Sequence, residues 1–223
     1  MEKKELLISR IRETAVIAIL RGIEAGKLQR VLNALYIGGI RFAEITFDQK
    51  QTVTDRETAE RISAMRKLFD GELHIGAGTV LTVEQTKLAM RAGAEFIISP
   101  NVNPDVIRHT VNSGCVSIPG AMTPSEAVAA YDCGADFVKI FPADSLGIPY
   151  LKALTAPLAH IPMLAVGGVN DRNIGDFLRI GLAGVGVGAS LTPNSLIAEN
   201  RFDEIAALAR RFTEAVQQFQ KSV

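Results

Sequence analysis

Tryptophan is absent from this sequence, cysteine occurs twice and histidine three times among 223 residues. Cys115 and Cys133 fall in separate expected elements and in no metal-like spacing, which excludes a disulfide framework and a thiolate metal site. They read as reduced, buried thiols of a cytoplasmic protein. His74, His109 and His160 fall in an expected strand, helix and loop, and so make no metal set; each reads as a satisfied or solvent-facing side chain. Neither sign of charge is in excess. The 24 basic and 24 acidic residues give a formal net charge of zero, which favours neither nucleic acid nor an anionic membrane as partner. No apolar run approaches the ~20 residues needed to span a bilayer. The segment Met1–Arg10 is too charged for a signal peptide and reads as an amphipathic helix. No Gly-x-Gly-x-x-Gly follows the first apolar run, which argues against a dinucleotide-binding open sheet.

What the sequence does have is a returning pattern: a helical stretch, a glycine, then a short apolar run. It occurs at Gly38–Glu44, Gly93–Ile98, Gly114–Ile118, Gly134–Lys139 and Gly181–Val187. Glycine just past a helix end suits a left-handed cap, and four to six apolar residues suit a parallel strand buried on both faces. Eight strands are expected, at Val16–Leu20, Phe42–Ile45, Leu73–Gly76, Phe96–Ile98, Cys115–Ile118, Phe137–Ile140, Met163–Val166 and Gly184–Val187. Helices fill the gaps at about 25–36, 53–69, 83–92, 104–112, 124–132, 148–158, 171–179 and 203–220. Thr82, Asn103, Thr123 and Asn170 are N-cap candidates, with capping-box spacing at Thr82/Gln85 and Thr123/Glu126. The pattern predicts an α/β fold, one (β/α)₈ barrel with an N-terminal helix, over residues 1–223 as a single domain.

In such barrels the chemistry lies at the carboxyl ends of the strands, and the unusual residues gather there. Lys139 sits inside the apolar strand Phe137–Ile140. On its own a strand lysine is ordinarily a solvated strand end with its stem along the sheet. Buried, its ammonium is costly, and a lysine made easier to deprotonate is what Schiff-base chemistry requires. Glu44, in Arg41–Phe47, is a second charge in a strand of a fold that has no sheet edge. A carboxyl beside such a lysine can carry protons through carbinolamine, imine and enamine. Gly167-Gly168 and Gly188-x-Ser190 end the last two strands, where this fold usually cradles phosphate, although tight turns alone also explain glycines there.

Together these residues resemble the family of 2-keto-3-deoxy-6-phosphogluconate (KDPG) and 4-hydroxy-2-oxoglutarate (KHG) aldolases. The likeness covers nearly the whole chain through ordered motifs: Gly39–Thr46, Gly76–Val80, Ile98–Pro100, Ile118–Gly120, Phe137–Ala143, Gly167–Val169 and Val187–Ser190. The resemblance implies a class I aldolase barrel in which Lys139 forms the imine and Glu44 is the general acid/base. Thr79, with Gly78 and the Pro100 turn, would hold the pyruvate end and Phe141 would wall the pocket. Gly167, Gly168, Gly188 and Ser190 would bind a distal phosphate. Such an enzyme cleaves a keto acid to pyruvate and an aldehyde, glyceraldehyde 3-phosphate or glyoxylate, through a covalent lysine–pyruvate imine with no metal or other cofactor. The family commonly assembles as a homotrimer.

Two positions depart from the better-known family pattern. Asp48 stands where that pattern has a carboxylate-gripping arginine, and Val166 where it has threonine. An aspartate cannot replace a bidentate guanidinium and would repel a carboxylate; Arg21, at the mouth of strand 1, is the expected substitute. The alternatives are a different phosphosugar-barrel enzyme (an isomerase, epimerase or decarboxylase) and a non-catalytic phosphometabolite-binding barrel.

Overall fold

Each expected apolar run pairs in parallel with its neighbours in the structure, a computed structural model that describes residues 3–222. The first elements are α1 (Lys3–Thr14), β1 (Val16–Leu20), α2 (Ala25–Ile37), β2 (Phe42–Thr46), α3 (Asp55–Phe69) and β3 (His74–Gly78). There follow α4 (Val83–Arg91), β4 (Phe96–Ile98), α5 (Pro104–Asn112), β5 (Val116–Ile118), β6 (Gly120–Ala121) and α6 (Pro124–Asp132). The chain ends with β7 (Val138–Ile140), α7 (Ala143–Thr155), β8 (Met163–Val166), α8 (Ile174–Arg179), β9 (Gly184–Val187), α9 (Asn194–Ala198) and α10 (Phe202–Lys221).

The strand order is β5-β4-β3-β2-β1-β9-β8-β7-β6. Its two ends, β5 and β6, are successive pieces of chain separated by Pro119, so the ring closes through covalent continuity and the nine segments make eight staves. Proline has no N–H to give to a ladder. Its carbonyl still accepts from the Lys139 amide at 2.8 Å, which keeps the fifth stave joined to β7. The architecture is the expected (β/α)₈ barrel.

Side chains alternate in and out along each strand. The inward set at the amino-terminal end is apolar: Ile17, Phe42, Phe96, Val116, Phe137 and Leu164 form one cluster, and Leu7 and Ile11 of α1 join it. The N-terminal helix is therefore a plug for the barrel floor. Truncating Ile11, 1% exposed, would cost about 2–5 kcal/mol. A polar clasp surrounds the plug. Arg10 Nη1 donates to His74 Nε2 at 3.2 Å, and His74 Nδ1 donates to Glu95 Oε2 at 2.9 Å. Arg66 approaches Glu95 at 2.8 Å, and Lys4 of α1 pairs with Asp136 at 3.0 Å. His74 is thus a satisfied core histidine, stacked on Phe42 with ring centroids 4.8 Å apart.

Several helix boundaries differ from expectation for local reasons. α7 begins at Ala143 rather than near 148, bending at Gly147 (φ 75°), and Pro149 lies within it. α8 begins at Ile174, because Asn170 does not cap it: its side chain accepts from the amides of Arg172 and Asn173, and Asn173 occupies the N-cap position. Thr82 caps α4, but Gln85 takes the amide of Leu81 instead of closing a box. Full boxes form at Thr123/Glu126 and, unexpectedly, at Thr54/Glu57. Cys115 and Cys133 are free thiols as expected but half-buried rather than buried, since both sit at helix-to-strand turns. Among the described residues no helix is long and apolar enough to cross a membrane.

Candidate active site

β2 and β7 carry the same device, an aromatic ring two residues below a charge. Phe42 and Phe137 belong to the apolar barrel floor, so the period of two turns Glu44 and Lys139 inward above them. Both are nearly withdrawn from solvent, Glu44 1% and Lys139 6% exposed. β1, β9 and β8 separate the two strands, so the charges face one another across the barrel. Burial pushes the Glu44 carboxyl up to about 7, against the opposing pull of the Lys139 and Arg21 charges. Burial also pushes the Lys139 ammonium down, with Glu44 opposing and Arg21 assisting. Arg21 therefore favours a deprotonated glutamate and a neutral lysine at once. Those are the forms that a base and an amine nucleophile must take. Glu44 Oε2 is buried without a hydrogen-bond partner among the described residues.

Two glycines of β3 make room for this arrangement. A Cβ at Gly76 would lie 2.3 Å from the Phe96 ring, and one at Gly78 would lie 2.5 Å from the Glu44 carboxyl carbon. Gly120 does the same for the opposite lip, where a Cβ would fall 2.5 Å from the Pro100 carbonyl. Gly78 thus leaves room for the glutamate.

Two cavities open at the carboxyl ends of the strands. The first, about 820 Å³, is lined by Lys139, Thr79, Pro100, Phe141 and Arg21. The second, about 650 Å³, is lined by Gly167, Gly168, Gly188 and Ser190 together with Val166. Arg21, Ile23 and Phe141 border both, so the two meet there. Glu44 lines neither and lies buried. Lys139 Nζ stands 4.9 Å from the centroid of the Phe141 ring. Thr79 holds φ 56°, a costly conformation for a β-branched residue, and Gln49 donates to its carbonyl at 3.0 Å.

The glycine pair has structural reasons of its own. Gly167 and Gly168 have φ of 112° and 65°, and a Cβ at Gly168 would lie 2.3 Å from Asp144 Cβ. Ser190 Oγ donates to the carbonyl of Val169, tying the loop after β9 to the loop after β8. The last two staves therefore share one rigid mouth.

Asp48 lines the first cavity but does not present a free carboxylate to it. Its oxygens accept from the amides of Lys50, Thr52 and Val53 and from the Thr52 hydroxyl, which holds its pKa at about 2. It stays ionised and is the organiser of the β2–α3 loop. Sequence reasoning missed other residues of this cavity, Thr58, Arg61 and Lys50 among them. They lie on a helix or a loop tip, away from any strand end, and only the shared face of Thr58 and Arg61 on α3 could have signalled them.

The family model for KDPG and KHG aldolase matches residues 7–208. The 2-dehydro-3-deoxy-6-phosphogalactonate aldolase of Escherichia coli (strain K12) is 36% identical over 203 residues, spanning 91% of this chain and 96% of that protein. A probable 2-dehydro-3-deoxy-6-phosphogalactonate aldolase of Rhizobium meliloti (strain 1021) is 38% identical over 199 residues, spanning 88% and 91%. Among solved structures, the KDPG aldolase from Legionella pneumophila with pyruvate captured as a covalent carbinolamine intermediate has a TM-score of 0.81. It is 28% identical, and the match covers 91% of this chain and 96% of that one.

Proposed function

The chain belongs to the KDPG and KHG aldolase family, and we propose that it works as a class I aldolase with Lys139 as the imine-forming residue. The observation that carries this reading is the buried pair: a lysine pushed toward its neutral form opposite a carboxyl with a pKa of about 7. The neutral amine attacks the C2 carbonyl of the keto acid, and the carbinolamine loses water to give a protonated imine. Glu44 takes the proton of the C4 hydroxyl, the C3–C4 bond breaks, and the electron pair flows into the imine as the aldehyde leaves. The enamine is then protonated at C3, and water releases pyruvate and the free lysine. Because the protonated imine is itself the electron sink, the cycle requires no metal or organic cofactor.

Thr79 and Pro100 would border the pyruvate end, with Phe141 over the imine. The distal phosphate would occupy the second cavity against Gly167, Gly168, Gly188 and Ser190. We take the substrate to be a 2-keto-3-deoxy-6-phospho sugar acid, with the galactonate configuration preferred to its C4 epimer, the gluconate. The names of the two relatives quoted above support this, and so does Val166, which offers no hydroxyl to the second cavity. The barrel would act as a single domain in a homotrimer, in the reducing cytoplasm that two free cysteines suit. Sedimentation and a single unfolding transition test the first two points.

Borohydride reduction in the presence of pyruvate, followed by peptide mapping, tests the chemistry. One pyruvyl adduct on Lys139 is the expected result; a folded protein without an adduct would overturn it. Turnover of the two epimeric phospho sugar acids then tests the substrate.

A further inference from the structure

Arg61 lies on α3 and lines the first cavity together with Thr58, one turn before it on the same face. Its Nη1 donates to the carbonyl of Ile23 at 3.2 Å, which pins the guanidinium against the β1–α2 turn. That bond uses one of five N–H donors. Arg61 forms no ion pair with a described carboxylate. Glu57, whose charge it feels, is engaged in the capping box with Thr54. The two acids that line the cavity are also occupied: Glu24 pairs with Lys27 at 3.8 Å, and Asp48 is folded onto its own loop. Arg21, Lys50 and Arg61 line the chamber beside Lys139 against Glu24 and Asp48, which leaves it an excess of positive charge.

The direction of the substrate follows from the two cavities. With C2 on Lys139 and the phosphate end in the second cavity, the C1 carboxylate has to point into the first. Of the cations there, Arg21 borders both cavities and acts on the Glu44–Lys139 pair. Lys50 is exposed on a loop and carries a compact point charge on a flexible stem. Arg61 borders only the first cavity and is already oriented by Ile23. We propose that Arg61 binds the C1 carboxylate of the keto acid, a specificity-determining role taken over from the arginine that the family pattern places at position 48. Asp48 then has a consistent part, shaping the loop that leaves this chamber open to α3. The proposal rests on the Schiff-base reading above.

The test compares borohydride trapping in wild type, Arg61→Ala and Arg61→Lys, using pyruvate and, separately, acetone, a ketone without a carboxylate. In Arg61→Ala the half-saturating pyruvate concentration should rise about 10- to 100-fold, the loss expected for a charge-assisted bidentate contact. Arg61→Lys should fall between the two, and added guanidinium ion should partly restore Arg61→Ala. Acetone trapping should be unchanged in all three. An unchanged pyruvate dependence would overturn the role, and so would an equal loss for pyruvate and acetone, which marks mere structural damage. If the alanine variant does not fold, the lysine variant carries the same comparison. No adduct in wild type would instead overturn the Schiff-base reading itself.

Discussion

The carboxyl carbon of Glu44 and the α-carbon of Gly78 are so placed that a methyl group on residue 78 would sit 2.5 Å from that carbon. A glutamate that lies 1% exposed, with one oxygen unpartnered, is held by shape as much as by charge. The fold keeps this space empty for one side chain.

Gly78→Ala should therefore displace the carboxyl without opening the barrel. We expect turnover to fall about 100-fold, the scale associated with small misplacements of a catalytic group. Borohydride trapping of pyruvate should persist. Steady-state rates beside intact mass after trapping check this, and an unchanged rate would refute the spatial argument.

Glu44→Gln should slow turnover by about 10²–10⁴-fold while leaving some imine formation. The pH profile discriminates further. Burial lifts the Glu44 carboxyl to about 7, so if it serves as the proposed base, kcat/KM should rise with pH through that region in wild type. The limb should vanish in Glu44→Gln.

The same glutamate has a stability signature. Its folded pKa lies above the usual 4.5, so the native state holds this proton more tightly than the unfolded chain does. Stability should decline as pH rises from about 4.5 to 7, by roughly 3 kcal/mol at most from this group. Glu44→Gln should accordingly be more stable than wild type at pH 8 and not at pH 4. Denaturant midpoints at the two values decide it.

Glu95 should act in the opposite sense. Burial raises its pKa, but the His74 hydrogen bond and the Arg66, His74 and Lys3 charges outweigh burial and hold it below the ordinary carboxylate value. Its contribution is present at neutral pH and is lost as pH falls through the acid range. Glu95→Gln should flatten the acid limb of the stability curve and loosen α1, seen as faster amide exchange at Leu7 and Ile11.

At the second cavity, Ser190→Ala should weaken the preference for phosphorylated over unphosphorylated substrates. It also removes the tie to Val169, so the matched measurement is the ratio of kcat/KM for the two substrates rather than either value alone. An unchanged ratio would mean that the distal group does not contact this hydroxyl.

Much of this was readable in one dimension because the period of two is so plain. Phe42 and Glu44, and Phe137 and Lys139, each stand two apart in an apolar run, a spacing that sets a ring and a charge on one face of a strand. Four strands match their expected bounds: β1, β4, β8 and β9. The start of α7 was not readable, since Gly147 and Pro149 discourage a helix that tertiary packing nevertheless forms across a kink. Nor was the real business of Asp48. Four bonds to its own loop depend on a turn that no residue pattern announces. Arg61 was invisible for a different reason: it lines the first cavity sideways from a helix, whereas strand-end reasoning looks only down the barrel axis.

The junction at Arg21 and Phe141 has a kinetic consequence. The two chambers meet along Arg21, Ile23 and Phe141, and in the proposed cycle only one of the two fragments is covalently tethered. On the proposed Schiff-base reading the aldehyde would depart past Ser190 while the enamine stays on Lys139, so product release should be ordered, aldehyde first and pyruvate second. Run backwards, the same reading has pyruvate load before its partner, and a charged enzyme would wait for whichever aldehyde the second chamber admits.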